Sequence, residues 1–119
     1  MVLENEEKPY REERPWGSFL RFTLNEKSTV KIITVNSHEA FSLQHHEHRE
    51  EKWHIISGSG TVTIGTEKFQ VEPDKEFDIK PGVDHRVEAS DSPVVFLEVA
   101  VGEFNEEDIV RIKDKYGRA

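Results

Sequence analysis

Four of the six histidines fall in one short stretch, SLQHHEHREEKWHIISG from Ser42 to Gly58, beside Gln44 and the acids Glu47, Glu50 and Glu51. Imidazole nitrogens and carboxylate oxygens are donors for divalent metals. The chain has no cysteine, so any metal must be held by nitrogen and oxygen alone. On an extended strand, side chains two apart share a face. Gln44, His46 and His48 therefore point one way, and His45 and Glu47 the other. Glu51 follows a break in this alternation, at the start of a strand that carries Trp53 and Ile55. A later histidine, His85, follows Pro81-Gly82 by a short turn and opens another strand. Converging inside a small barrel, these groups would make a mixed N/O metal site with positions left open for substrate. His38 stands outside the pattern, and His45 and His54 face outward by parity.

Strands must position them. FLRFTL and VKIITV alternate apolar with polar residues, as strands with one buried face do. WHIIS and TVTIG flank Gly58-Ser59-Gly60, which reads as a tight hairpin, and Gly65-Thr66 turns the chain into KFQV. FDI, HRVEA and SPVVFLEVAV follow, each introduced by a turn sequence. Eight to ten short strands at this spacing predict a sandwich or barrel rather than a βαβ sheet. One helix is expected, at the C-terminus. Asn105 suits the N-cap, and Glu106, Glu107 and Asp108 suit the first turn. Ile109, Ile112 and Tyr116 fall on one face, with Gly117 as the stop.

At 119 residues the chain is one domain, large enough to bury a core. Apolar and charged residues each make up 34%, and the regular apolar patterning argues against disorder. A net charge of −8 disfavours nucleic acid or an anionic membrane as the main partner. It allows an anionic small molecule only where Lys and Arg gather locally. No apolar run approaches a membrane span or a signal-peptide core, so a cytoplasmic location is expected. No glycine-rich phosphate loop is present, so nucleotide transfer is not expected.

Several stretches together resemble the cupins, and more narrowly the isomerase domain of the type II mannose-6-phosphate isomerases, which bacteria often fuse behind a mannose-1-phosphate guanylyltransferase. They are RPWGSF at Arg14–Phe19, SLQHHEHREEKW at Ser42–Trp53, SGSGTV at Ser57–Val62, PGVDHR at Pro81–Arg86 and EEDIVRIKDKYGR at Glu106–Arg118. The resemblance implies an all-β cupin fold, a double-stranded β-helix or jelly-roll barrel over residues 14–119, with the C-terminal helix outside it. Residues 1–13 would be a flexible or edge-strand arm. Trp16 is expected to pack the barrel's edge rather than wall the pocket.

The cupin spacing implies Gln44, His46, Glu51 and His85 as ligands of one divalent ion, with Zn, Mn, Co, Ni and Fe all open. His48 would be a fifth ligand or a catalytic neighbour. His38 occupies a position where the motif usually has glycine. The implied activity is interconversion of mannose 6-phosphate and fructose 6-phosphate, which moves a proton between C2 and C1 through an enediol. Candidate bases are His48, Glu50 and Glu51. Arg86 would assist catalysis, and Arg49, Lys52 and Arg111 would grip the phosphosugar. A homodimer paired through a sheet edge is expected. The competing readings are a non-catalytic metal- and sugar-binding cupin module and a metal-dependent cupin oxygenase.

Overall fold

The computed structural model describes residues 10–105 and 107–113. They form eleven strands: β1 (Tyr10–Arg14), β2 (Gly17–Arg21), β3 (Ser28–Val35), β4 (Leu43–His45), β5 (Arg49–Ser57), β6 (Gly60–Ile64), β7 (Glu67–Gln70), β8 (Glu76–Ile79), β9 (His85–Ala89), β10 (Val94–Gly102) and β11 (Val110–Lys113). β1 and β2 make a separate hairpin, so the boundary expected after Glu13 falls inside it. The other strands build two sheets, ordered β3-β10-β5-β8 and β11-β4-β9-β6-β7. Every pairing is antiparallel, and the result is a jelly-roll-like sandwich.

Period-two alternation explains what lies between the sheets. In β10, Val94, Phe96, Glu98 and Ala100 are buried, while Val95 and Leu97 between them are only partly so. Val62 and Val87 from the facing sheet, with Trp53, Ile55 and Ile79, complete a core of almost fully buried side chains. Trp53 joins core to site: its ring centroid lies 4.8 Å from that of Phe96 and 5.5 Å from that of His85.

The segment Gly58-Ser59-Gly60 is not a hairpin. β5 and β6 belong to different sheets, and the two glycines turn a corner between them. Gly58 has φ +118 and Gly60 +154. A Cβ at Gly58 would collide with the Pro93 carbonyl, and one at Gly60 with that of Glu88. Only glycine lets the crossing chain lie this close to its neighbours. Gly65-Thr66 does make the expected hairpin, with Ile64 opposite Glu67.

The C-terminal helix is absent among the described residues. Asn105 Oδ1 accepts from the Glu107 N–H at 2.9 Å, as a capping side chain would, but the bond closes a turn. The chain then extends into β11, which pairs with β4. Tyr116 and Gly117 lie outside the described residues. Trp16 sits in the turn of the β1–β2 hairpin and is 73% exposed, so it packs neither barrel edge nor pocket.

Candidate metal centre

Cross-strand register lays two rows of side chains face to face. Arg111, Gln44 and His85 are directly opposite one another across β11-β4-β9. Lys31, Glu98 and Trp53 are likewise aligned across β3-β10-β5. Residues aligned in this way project from the same face of a sheet. Both rows line one cavity of about 270 Å³, together with His46, Arg49 and Glu51. That is the scale of a small metabolite, not a polymer.

His46, Glu51 and His85 come together at this cavity. They are 4%, 2% and 1% exposed, and their donor atoms all lie within 4.8 Å of one another. Each imidazole has its Nδ1 held by a main-chain carbonyl, His46 by Asp108 at 2.5 Å and His85 by Val83 at 2.9 Å. With Nδ1–H donating, each ring keeps an unprotonated Nε2 toward the carboxylate. His46 Nε2 is 3.4 Å from Glu51 Oε2, and His85 Nε2 is 3.7 Å from Glu51 Oε1. Nε2 of His85 is buried without a hydrogen-bond partner. Burial above all holds the pKa of His85 below the usual histidine value, so the ring is neutral at neutral pH. A buried lone pair facing a carboxylate and a second imidazole fits a divalent ion and not a solvent contact.

Gln44 stands beside these three. Its Nε2 is 3.4 Å from His46 Nε2, and Ser42 donates its hydroxyl to Gln44 Oε1 at 2.5 Å. Glu51 is braced by Trp53, which donates its indole N–H at 3.2 Å, and by Arg49, which donates Nε–H at 3.0 Å. The main chain ties both motif loops together, since the Gly82 N–H donates to the His46 carbonyl at 2.7 Å.

Arg49 and Arg111 line the cavity, the second from β11 and not from a helix. The other sequence-predicted residues lie elsewhere. Glu50 and Lys52 are out of phase with Arg49, Glu51 and Trp53, and so face the outside of the sheet. There Glu50 accepts from Lys52 and Lys80, each at 3.3 Å, and Lys52 also reaches Asp78. Arg86 points the opposite way from His85; it donates to the Phe41 carbonyl at 3.0 Å and to Glu88 at 3.1 Å. His48 lies past the end of β4, where strand parity no longer holds; its side chain is 77% exposed and near Asp108. His45 is clamped outside between Asp84 and Glu47, and His54 bonds Glu76. His38 takes φ +64, the left-handed conformation that a glycine would accept without strain.

Three functional candidates escaped the sequence reading: Lys31, Glu98 and Asp108. Glu98 is 7% exposed in the cavity, and burial, reinforced by the Glu51 charge, lifts its pKa from 4.5 to about 7. The available signal was an ionisable residue in the buried phase of an apolar strand, Glu98 between Phe96 and Ala100, and Lys31 two before Ile33. Lys31 and Arg49 place their cationic groups on the Phe104 ring, each 4.4 Å from its centroid. Lys31, Arg49 and Arg111 give the cavity a cationic side within a protein of net charge −8.

The sequence profile of a family described as "Mannose-6-phosphate isomerase C-terminal" matches residues 3–114. The xanthan biosynthesis protein XanB of Xanthomonas campestris is 38% identical over 107 residues, covering 88% of this chain and 23% of that protein. A mannose-1-phosphate guanylyltransferase of Escherichia coli is 39% identical with the same coverage. The chain thus spans about a quarter of the length of these relatives. Among solved structures, a cupin protein from Bacteroides fragilis superposes with a TM-score of 0.59 at 28% identity, covering 71% of this chain and 72% of that one. The capsular polysaccharide assembling protein CapF of Staphylococcus aureus gives 0.65 at 18% identity, covering 92% and 34%, which speaks to the fold alone. By profile, by sequence and by the sandwich that carries its buried histidine pair, the chain belongs to the mannose-6-phosphate isomerase C-terminal family of cupins.

Proposed function

We propose that the chain is a metal-dependent aldose–ketose isomerase that interconverts mannose 6-phosphate and fructose 6-phosphate. The observation that carries this reading is a buried His46–Glu51–His85 cluster in a small cavity that Glu98, Lys31, Arg49 and Arg111 also line. Gln44 would complete the ligand set as a fourth, neutral donor once its amide turns Oε1, now bonded to the Ser42 hydroxyl, toward the cluster. A divalent ion held there would supply positive charge against the oxygens that become negative in the enediolate.

The chain's own residues divide the remaining work. Glu51 is committed to Arg49 and Trp53, which leaves Glu98 as the cavity carboxyl placed to move a proton between C2 and C1. Phe41, Ile33 and Trp53 limit the water that reaches the reacting carbons. Arg111 and Lys31, on opposite sheets, grip the phosphate from two sides. Arg49 holds Glu51 in place through Nε–H, and its terminal nitrogens reach the Asn105 carbonyl and His46 Nε2, so it acts by positioning the cluster.

The test is deuterium exchange. Metal-loaded protein in D₂O should place deuterium at C2 of mannose 6-phosphate and at C1 of fructose 6-phosphate. Absence of exchange at either carbon, with metal bound, refutes the isomerase reading and leaves a metal- and sugar-binding module.

The reading includes a homodimer. Two features support it: the β1–β2 hairpin lacks substantial contact with the other strands, and β3 is an open edge among the described residues, with Val30 and Ile32 60% and 67% exposed. A two-stranded hairpin has little stability alone, and an open apolar edge invites pairing. Light scattering at micromolar concentration should give twice the chain mass, and Ile32→Lys should halve it.

A further inference from the structure

Three consecutive residues of the motif loop, His46, Glu47 and His48, are all bonded to one residue about sixty positions away. The Asp108 carbonyl accepts from His46 Nδ1–H at 2.5 Å. Its carboxylate accepts the Glu47 N–H at 2.9 Å with one oxygen and the His48 N–H at 3.0 Å with the other. The Asp108 side chain is only 8% exposed, and both bonds to its carboxylate are charge-assisted.

We propose that Asp108 is the positioning residue of this centre: its carboxylate clamps residues 46–48 so that its own carbonyl fixes the tautomer and orientation of His46. The inference rests on the metal reading above for its consequence, but not for its geometry. Asp108 lies on segment 103–109, between β10 and β11; it does not line the cavity of the metal centre but an outer hollow shared with His48 and Phe104. His46 lies past the end of β4, where no ladder hydrogen bond fixes its backbone. Without the carboxylate, the two N–H groups lose their acceptors, and the Gly82 N–H at the His46 carbonyl alone does not set the turn of the His46 ring toward Glu51. Neighbours of this kind, bonded to a ligand but not to the metal, typically change affinity 10–100-fold.

The experiment uses Co(II) as the probe on the full chain. Asp108→Ala removes the clamp. Asp108→Asn keeps its size but turns a donor toward an N–H, and serves should the alanine variant fail to fold. Gly58→Ala is the control for lost stability: it strains the sheet-to-sheet corner about 23 Å along β5 from Glu51, at 3.3 Å per residue. Co(II) affinity, by calorimetry and by the visible spectrum, is expected to fall at least tenfold in either Asp108 variant and to hold in Gly58→Ala. A second readout needs no metal. Imidazole ¹⁵N spectra of the ion-free protein should show His46 as a single Nδ1–H tautomer in the wild type, and as a mixture in the Asp108 variants. Wild-type affinity and a single tautomer in Asp108→Asn overturn the proposal, as does an equal loss of affinity in Gly58→Ala. A wild-type protein that binds no Co(II) refutes the metal reading instead, and the tautomer measurement then decides this proposal by itself.

Discussion

Glu98→Gln in the ion-free protein should abolish a specific slope of stability against pH. In the wild type, burial beside Glu51 raises the Glu98 pKa from 4.5 to about 7. Between those values the folded protein holds a proton that the unfolded chain has released. Folding then takes up a proton, and stability falls as pH rises through the window. At about 1.4 kcal/mol per pH unit, the span corresponds to a loss of about 3 kcal/mol. Glutamine matches the size of the protonated acid and can donate to Glu51 as that acid does, but it cannot ionise. The variant should therefore equal the wild type near pH 4.5 and exceed it by about 3 kcal/mol above pH 7.5.

The assay is urea unfolding at half-unit pH steps with a chelator present. At about 2.1 cal/mol/K per residue, 119 residues give about 0.25 kcal/mol per degree, so the same difference is roughly 12 °C in Tm. His85, whose neutral form folding favours, loses stability in the opposite direction as pH falls; it is present in both proteins and cancels in the comparison. Parallel curves would refute the reasoning, because they would mean that Glu98 is as well solvated folded as unfolded.

His46→Ala should abolish stoichiometric divalent metal, measured by elemental analysis after gel filtration, whereas His38→Ala should retain it. Arg111→Met should raise KM for the sugar phosphate about tenfold with metal content unchanged, and the wild-type KM should rise with ionic strength as screening grows. Arg86→Ala tests whether that residue assists catalysis: with its guanidinium bonded to the Phe41 carbonyl and Glu88, the change should cost about 1–3 kcal/mol in urea unfolding and leave KM unchanged. Phe96→Ala, at the centre of the core, should cost about 3–5 kcal/mol without altering the metal site directly.

What the sequence made legible is what a local rule governs. Parity on a strand requires no knowledge of the fold, so the shared face of Gln44 and His46 and the outward turn of His45 could be read directly. The same rule places Arg86 away from His85 and Lys52 away from Glu51, and charge near a histidine cluster is not sufficient for a role. Partnership between distant strands is another matter. WHIIS, a glycine pair and TVTIG carry every local feature of a hairpin; only the close passage of Pro93 and Glu88 makes the glycines a corner between sheets.

The C-terminus shows the same limit. An asparagine oxygen facing a main-chain N–H two residues on begins a helix or an Asx turn with equal ease. What settles it is the edge of β4, which lies open to pair with Val110 and Arg111. Its choice has a consequence for chemistry. In the middle of a helix, Arg111 would project from an element outside the barrel. As a strand residue opposite Gln44, it stands in line with His85 and faces Lys31 and Glu98 across the cavity. The pairing that removes the expected helix is therefore the one that brings the cation into the cavity beside Gln44 and His85.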